Sequence, residues 1–351
     1  MKILSCASFY GTGSSAITDL FSEYSNVRPA SDFEFSFLFE PDGVADLEYN
    51  LVQNFNRNNS CLAIKRFKRF CKANNGDIIH KKWYKYHFEN QYLKLSNEYI
   101  DSLIGVSYRG FLDYDLRAKG SSKFVRLSFW RKLLTKLGCK RGGILKKEYT
   151  YCGAPSEEKF LEATQKYVEQ LLTIYNKQNC EYVCMDQLFP CTNIDKVKRY
   201  VPFDSFVFLV DRDPRDLFIL CKKVWTKEAS IPSGKDVVEF CKWFDFSRHN
   251  AYEEVEKSKI VLKLNFEDLI YKYSETVEKI EKFTGLKNSD HINKFSRLNP
   301  KRSVVNTQIW KRYPEEEKNI KYIEENLSKY LYDFPADCEV EGVETKDKSL
   351  F

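Results

Sequence analysis

The chain has 351 residues, of which 43% are hydrophobic and 30% charged, with a net charge of +6 at pH 7. This is enough for a sizeable core, and the length alone would allow two domains. No run approaches the ~18 apolar residues of a membrane span, and the first predicted strand begins so near Met1 that we expect no leader. Eleven cysteines without a C-x-x-C pair are typical of reduced thiols, so we expect a cytoplasmic protein.

The first predicted elements are a strand, a glycine-rich turn and a helix. An apolar run at 3–7 precedes the turn, and Ile17, Leu20 and Phe21 recur at helical spacing after it. A helix start offers unpaired amides and the positive end of the helix dipole, so the turn is a candidate anion site; the alternative is an ordinary turn capped by Ser or Thr. The turn residues are Gly11, Thr12, Gly13, Ser14 and Ser15. No lysine follows Gly13, so the ATP and GTP pattern G-x-x-x-x-G-K-[ST] is not present.

A basic stretch occupies the middle of the chain. Residues 117–147 contain eleven Lys or Arg and no acidic residue. Phe129, Trp130 and several leucines lie among these cations, which indicates a helix with a solvated basic face and leucines packed inward. The alternative is that the stretch contacts an anionic membrane surface or an acidic glycan. Nucleic acid is not expected, because no helix-turn-helix, zinc-finger or RNA-binding motif is present.

A second candidate phosphate site follows an apolar run at 206–210. Asp213 and Pro214 are good helix-start residues and need no further function. Arg212 is not explained in this way. It is a permanent cation at the end of a predicted strand, where a doubly wound sheet binds its ligands. We therefore interpret Arg212 as a phosphate ligand.

These stretches, in this order, resemble the sulfotransferases that use 3'-phosphoadenosine 5'-phosphosulfate, particularly bacterial members. The glycine turn is similar to their 5'-phosphosulfate loop, and residues 212–216 are similar to their 3'-phosphate motif. Residues 260–269 resemble the family's strand ending in Tyr-Glu-Asp-Leu, and residues 301–311 resemble its cofactor-covering loop. The resemblance spans roughly residues 1–334. It implies an α/β, P-loop-type three-layer fold, with a central parallel sheet flanked by helices and a mostly helical insertion.

The resemblance also implies the roles of individual residues. The turn from Gly11 to Ser15 would bind the 5'-phosphosulfate, Arg212 the 3'-phosphate, and Arg302 with Ser303 the nucleotide from the closing loop. No metal is expected, because the family's reaction needs none. For the general base, relatives place a histidine after a strand, and the matching position here is Asp186; the alternative is that Asp186 caps the following turn. Asp42, in a Pro-Asp-Gly turn, is the second candidate for the base.

Two departures from the family pattern bear on activity. Gly11 occupies the position where the family usually has a lysine, and Leu220 occupies that of a serine which helps to bind the 3'-phosphate. Either another cation replaces the lysine or the enzyme is slow or inactive, since one preorganised donor is worth about 10²–10³ in rate. The candidate replacements are Arg28, Arg57, Lys65 and Arg66.

The sequence therefore predicts a sulfotransferase that acts on a carbohydrate hydroxyl of a surface polysaccharide or lipid-linked sugar. The protein would be cytoplasmic and could lie at the inner face of the membrane. The alternatives are a non-catalytic nucleotide- or glycan-binding protein on the same fold and a kinase-like phosphotransferase. We expect one nucleotide-binding domain at 1–334, a basic helical insertion at about 70–170, and an acidic, mobile tail at 335–351.

Overall fold

The computed structural model describes residues 1–31, 33–76, 84–118, 120–138, 148–226, 231–232, 234–336 and 339–344, apart from the side chain of residue 116. Its contacts divide the chain into two compact units. The sheet unit comprises Met1–Ser36 and Asn176–Phe351, and the helical unit comprises Phe37–Tyr175. The domain boundaries expected from the sequence stay a prediction, because contact density does not establish which parts fold independently.

The sheet unit contains a five-stranded, all-parallel sheet in the order β2-β5-β1-β6-β7. Its strands are β1 (Lys2–Ser8), β2 (Val27–Arg28), β5 (Tyr182–Asp186), β6 (Ser205–Asp211) and β7 (Val261–Asn265). Its helices are α1 (Ser14–Ser22), α9 (Ile194–Lys198), α10 (Pro214–Ile219), α11 (Val237–Val255), α12 (Asp268–Tyr271), α13 (Tyr273–Thr284), α14 (Pro300–Ser303) and α15 (Glu317–Asn326). The predicted α/β class, with a central parallel sheet flanked by helices, is confirmed.

The helical unit contains a two-stranded antiparallel ribbon and seven α-helices among its described residues. The strands are β3 (Val106–Arg109) and β4 (Tyr149–Cys152). The helices are α2 (Val44–Glu48), α3 (Arg57–Asn75), α4 (Tyr84–His87), α5 (Tyr92–Leu103), α6 (Asp113–Arg117), α7 (Ser121–Lys136) and α8 (Glu157–Tyr175). Among all described residues, no helix has the length and apolar character needed to cross a membrane.

The basic helix α7 does not pack its apolar residues inward as the sequence predicted. None of its described side chains is buried, and Val125 and Phe129 are more than half exposed. The prediction was wrong because the apolar residues are distributed around the helix rather than along one stripe. Residues 119 and 139–147 of the basic stretch lie outside the described residues.

Alternation along the strands of the sheet unit builds one face of its core. Leu4 and Cys6 of β1 and Phe208 and Val210 of β6 are buried in one cluster, as the two-residue period of a strand requires. The residues of α1 and α13 that complete the cluster include Ile17, Leu20, Phe21, Val277 and Ile280.

The predicted start of α10 is also confirmed. Asp213 is its N-cap, accepts from the Arg215 amide at 2.9 Å, and precedes Pro214.

A buried ion pair joins α11 to the end of β6. Arg248 is fully buried, and its Nε and Nη2 atoms donate to the Asp211 carboxylate at 2.9–3.3 Å. Its guanidinium also lies 3.5 Å from the ring centroid of Phe244 and 4.2 Å from that of Phe9. Tyr252 donates a further hydrogen bond to Asp211. Arg248 therefore compensates the charge of a carboxylate that has little access to water.

Replacing Arg248 with Ala is expected to lower the free energy of unfolding by about 3–5 kcal/mol, because it leaves Asp211 buried without its ion-pair partner. Denaturant titration measures this change. Lys242→Ala is the matched control, because Lys242 is exposed on the same helix and should change stability by no more than about 0.5 kcal/mol. Equal, small effects of the two substitutions would contradict this account of Arg248.

Candidate functional site

A cavity of about 500 Å³ lies at the carboxyl ends of the central strands. Its walls are the glycine turn after β1, the residues that follow β6 and β7, and the segment around α14. These segments are far apart in sequence but meet because parallel strands end at the same edge of the sheet. The site residues predicted from the sequence that line this cavity are Gly11, Gly13, Ser14, Ser15, Arg212, Arg302 and Ser303.

The glycine turn presents open amides to the cavity. Gly13 caps α1 with φ of 99° and without a side-chain hydrogen bond, so a Ser- or Thr-capped turn is not what the structure has. The amides of Ser14 and Ser15 donate to no acceptor among the described residues. They lie at the positive end of the α1 dipole, which is suitable for binding an anion.

Close packing explains why glycine occurs at both positions of the turn. Gly11 and Gly13 have φ of 73° and 99°, which residues other than glycine rarely adopt. A Cβ atom on Gly11 would lie 2.5 Å from Trp225 Cζ3, and one on Gly13 would lie 2.7 Å from Phe266 Cδ2. A lysine at position 11 therefore does not fit this turn unless Trp225 moves.

Thr12 lies beneath the turn rather than in the cavity wall. It is fully buried, and its hydroxyl hydrogen-bonds the carbonyl oxygens of Phe9 and Val210 at 2.8 and 2.7 Å. The hydroxyl thus joins the turn to the end of β6. This position suits a structural role, and the binding role predicted for Thr12 stays a prediction.

Arg212 is a buried cation that reaches the cavity. It is 3% exposed, its guanidinium lies 4.9 Å from the ring centroid of Phe266, and Nη2 donates to the carbonyl oxygen of Asn306. The Nε atom is buried and has no hydrogen-bond partner among the described residues. Burial lowers the pKa of Arg212, and the carboxylates of Asp216 and Glu267 oppose that shift. A buried donor without a partner beside a cavity is suited to an anionic ligand.

A second cavity of about 450 Å³ shares Ser15, Asp19 and Arg297 with the first. It is also lined by two carboxylates, Asp186 at the end of β5 and Glu34, which are neighbours in a parallel bridge. The Oδ1 atom of Asp186 is buried and has no hydrogen-bond partner among the described residues. Burial, assisted by the charge of Glu34, raises the pKa of Asp186 to about 7. A carboxyl group with this pKa can accept a proton near neutral pH.

The remaining candidates from the sequence lie outside the walls of the first cavity. Asp42 belongs to the helical unit, where its carboxylate lies 2.8 Å from Nε of Arg66. Lys65 lies 2.8 Å from Asp115 in the same unit. Arg28, in the sheet unit, donates to the carbonyl oxygen of Pro29 at 3.0 Å and does not line the first cavity. Arg57, at the start of α3, is exposed.

Sequence reasoning missed several residues of these cavities. Glu34 and Arg297 lie in irregular segments without periodicity or a motif, so no local signal distinguishes them. Trp225 and Phe266 follow helical and strand patterns, which predict core residues rather than cavity walls. Among the described residues, no group of three or more His, Cys, Asp or Glu could hold a metal ion.

No family model matches the chain, and no curated protein matches it. Among solved structures, the chain is similar to the sulfotransferase STF9 from Mycobacterium avium, over 97% of this chain and 78% of that chain. The sequence identity is 12% and the TM-score 0.37, so this likeness carries no argument about the site.

The pKa of Asp186 predicts a pH-dependent contribution to stability. An unfolded Asp has a pKa of about 3.9. Between that value and about 7, the folded protein holds a proton that the unfolded chain has released, so the contribution of Asp186 to stability falls as pH rises. Asp186→Asn should remove this fall. Between pH 4 and pH 8, the free energy of unfolding of the variant should therefore rise by at least about 1.4 kcal/mol relative to that of the wild type. Urea titrations at the two pH values measure this change. Parallel curves would contradict the raised pKa.

Proposed function

We propose that the protein is a sulfotransferase that moves a sulfuryl group from 3'-phosphoadenosine 5'-phosphosulfate to a carbohydrate hydroxyl. The observation that supports it most is the convergence of the glycine turn, Arg212 and Arg302 with Ser303 on one cavity. Two separate groups of anion-binding residues in one cavity fit a nucleotide that has phosphates at both ends of its ribose. The amides of Ser14 and Ser15 suit the 5' group, and Arg212 suits the 3' group.

The walls of the cavity also fit the rest of such a nucleotide. Trp225 and Phe266 supply aromatic surface against which an adenine ring can pack. Arg302 donates to the carbonyl oxygen of Arg297 at 2.8 Å, and this contact helps to fix the segment that closes the cavity. These residues would hold the donor with its 5' end toward α1.

The carboxylates of the second cavity supply the proton acceptor in this proposal. The bound donor provides an activated sulfuryl group, which an acceptor oxygen attacks in line. Asp186 would accept the proton of the acceptor hydroxyl, and its raised pKa matches that task. Glu34 lies beside it and raises the pKa of Asp186 through its negative charge. Asp42 remains the second candidate for the base.

The acceptor in this proposal is a carbohydrate hydroxyl. It is favoured by the sequence resemblance, and the second cavity is lined mainly by polar groups. In the helical unit, the exposed cations and aromatic rings of α7 suit an anionic partner, such as an acidic glycan or the inner surface of a membrane. The proposal therefore includes a carbohydrate acceptor and an anionic partner of α7.

Calorimetric titration with adenosine 3',5'-bisphosphate tests the donor site. The wild type is expected to bind it without magnesium and to prefer it to ATP with magnesium. Arg212→Ala should reduce affinity at least 10-fold, because a charge-assisted hydrogen bond is lost. Thermal unfolding shows whether that variant is folded. Arg302→Ala is a second variant that removes one positive charge from the cavity, at a less buried position. Preference for ATP with magnesium would favour a kinase-like phosphotransferase, and binding of neither would refute the donor site.

Turnover at varied pH tests the base. With a pool of oligosaccharide acceptors, kcat/KM is expected to rise through a pKa near 7. Asp186→Asn should keep bisphosphate binding but lose transfer by about 10²-fold or more. Glu34→Gln should move the rising limb to lower pH, because a negative neighbour is removed. Bisphosphate binding without transfer by any variant or the wild type would favour a non-catalytic binding protein.

A further inference from the structure

Arg297 is a cation in the wall of both cavities. Among the described residues, Ser15 and Asp19 are the only others that line both cavities. The residue is exposed, and its guanidinium has no hydrogen bond or ion pair among the described residues. Its position thus lies between the wall that suits the nucleotide and the carboxylate pair Asp186 and Glu34.

The main chain of Arg297 is fixed from below by a buried carboxylate. Glu23 is fully buried, and it accepts hydrogen bonds from the amides of Arg297 and Leu298 at 2.8 and 2.9 Å and from that of Phe295 at 3.3 Å. Nε2 of His291 lies 2.8 Å from the same carboxylate. Because these contacts involve only the backbone of Arg297, its side chain is left for another partner. A substitution there should leave the loop in place.

The glycine turn lacks a cation of its own. It offers amides, and the packing of Trp225 against Gly11 leaves no room for a long side chain there. A permanent cation at the junction of the cavities compensates for this lack, and of the described residues that line both, Arg297 alone is cationic.

We propose that Arg297 binds the 5' end of the donor and stabilises the leaving group. In this step the bond between sulfur and the 5'-phosphate oxygen breaks, and its electron pair stays on that oxygen. A new bond forms between sulfur and the acceptor oxygen, whose proton passes to Asp186. Negative charge grows on the 5'-phosphate, and Arg297 contacts it there. This inference rests on the proposed function and names the residue that compensates for the missing side chain at Gly11.

A comparison of two ligands tests the inference without an acceptor. Adenosine 3',5'-bisphosphate carries the 5'-phosphate, and adenosine 3'-monophosphate lacks it. Arg297→Ala is expected to weaken bisphosphate binding about 10–100-fold, the effect of one charge-assisted hydrogen bond, and to change monophosphate binding less than about 2-fold. Arg297→Lys should recover part of the loss. Lys287→Ala, an exposed cation outside both cavities, is the matched control and should bind both ligands as the wild type does.

Each other result has a definite meaning. If Arg297→Ala weakens both ligands equally, or neither, while the wild type prefers the bisphosphate, then Arg297 does not bind the 5' end and the inference is wrong. If the wild type binds neither ligand, the proposed function itself is refuted, and the inference with it. An unchanged unfolding midpoint for Arg297→Ala is expected, because the backbone contacts to Glu23 remain.

Discussion

The burial of several carboxylates at the carboxyl ends of β6 and β7 is the constraint on which the site depends. Asp211, Asp213, Asp216 and Glu267 are each at most 2% exposed. Burying so many carboxyl groups in the charged form is costly unless hydrogen bonds and cations compensate them, and burial raises the pKa of Glu267 to about 8. Here the compensation comes largely from backbone amides and arginines of segments distant in sequence. The need to satisfy these carboxylates therefore determines where those segments lie.

Asp216 shows how this constraint reaches the cavity. Its carboxylate accepts hydrogen bonds from the amides of Gln308 and Ile309, which fixes the segment containing Asn306. The carbonyl oxygen of Asn306 in turn accepts from Arg212. Burial raises the pKa of Asp216 to about 7, although Arg212 opposes the shift. The Nε atom of Arg212 is buried and has no hydrogen-bond partner among the described residues, which leaves it able to bind an external anion.

The parts of this structure that were predictable from the sequence are those set by local chemistry. The start of α10 at Asp213 and Pro214 follows from capping and from the fixed φ of proline, and the turn at Gly11 and Gly13 follows from conformations that glycine tolerates. The prediction that α7 packs its leucines inward failed because its apolar residues are distributed around the helix, so they form no single stripe that could be buried.

Tertiary contacts determine what sequence reasoning could not find. Arg297 reaches both cavities because the buried Glu23, more than 270 residues earlier, accepts its amide. Glu34 meets Asp186 because the chain after β2 continues beside the end of β5. Neither relation leaves a periodic or spaced pattern in the sequence.

The cations of the first cavity come from residues after position 200, whereas its open amides come from the glycine turn after β1. An anion between them would link the two, so ligand binding and the packing of the closing segment around α14 should be coupled.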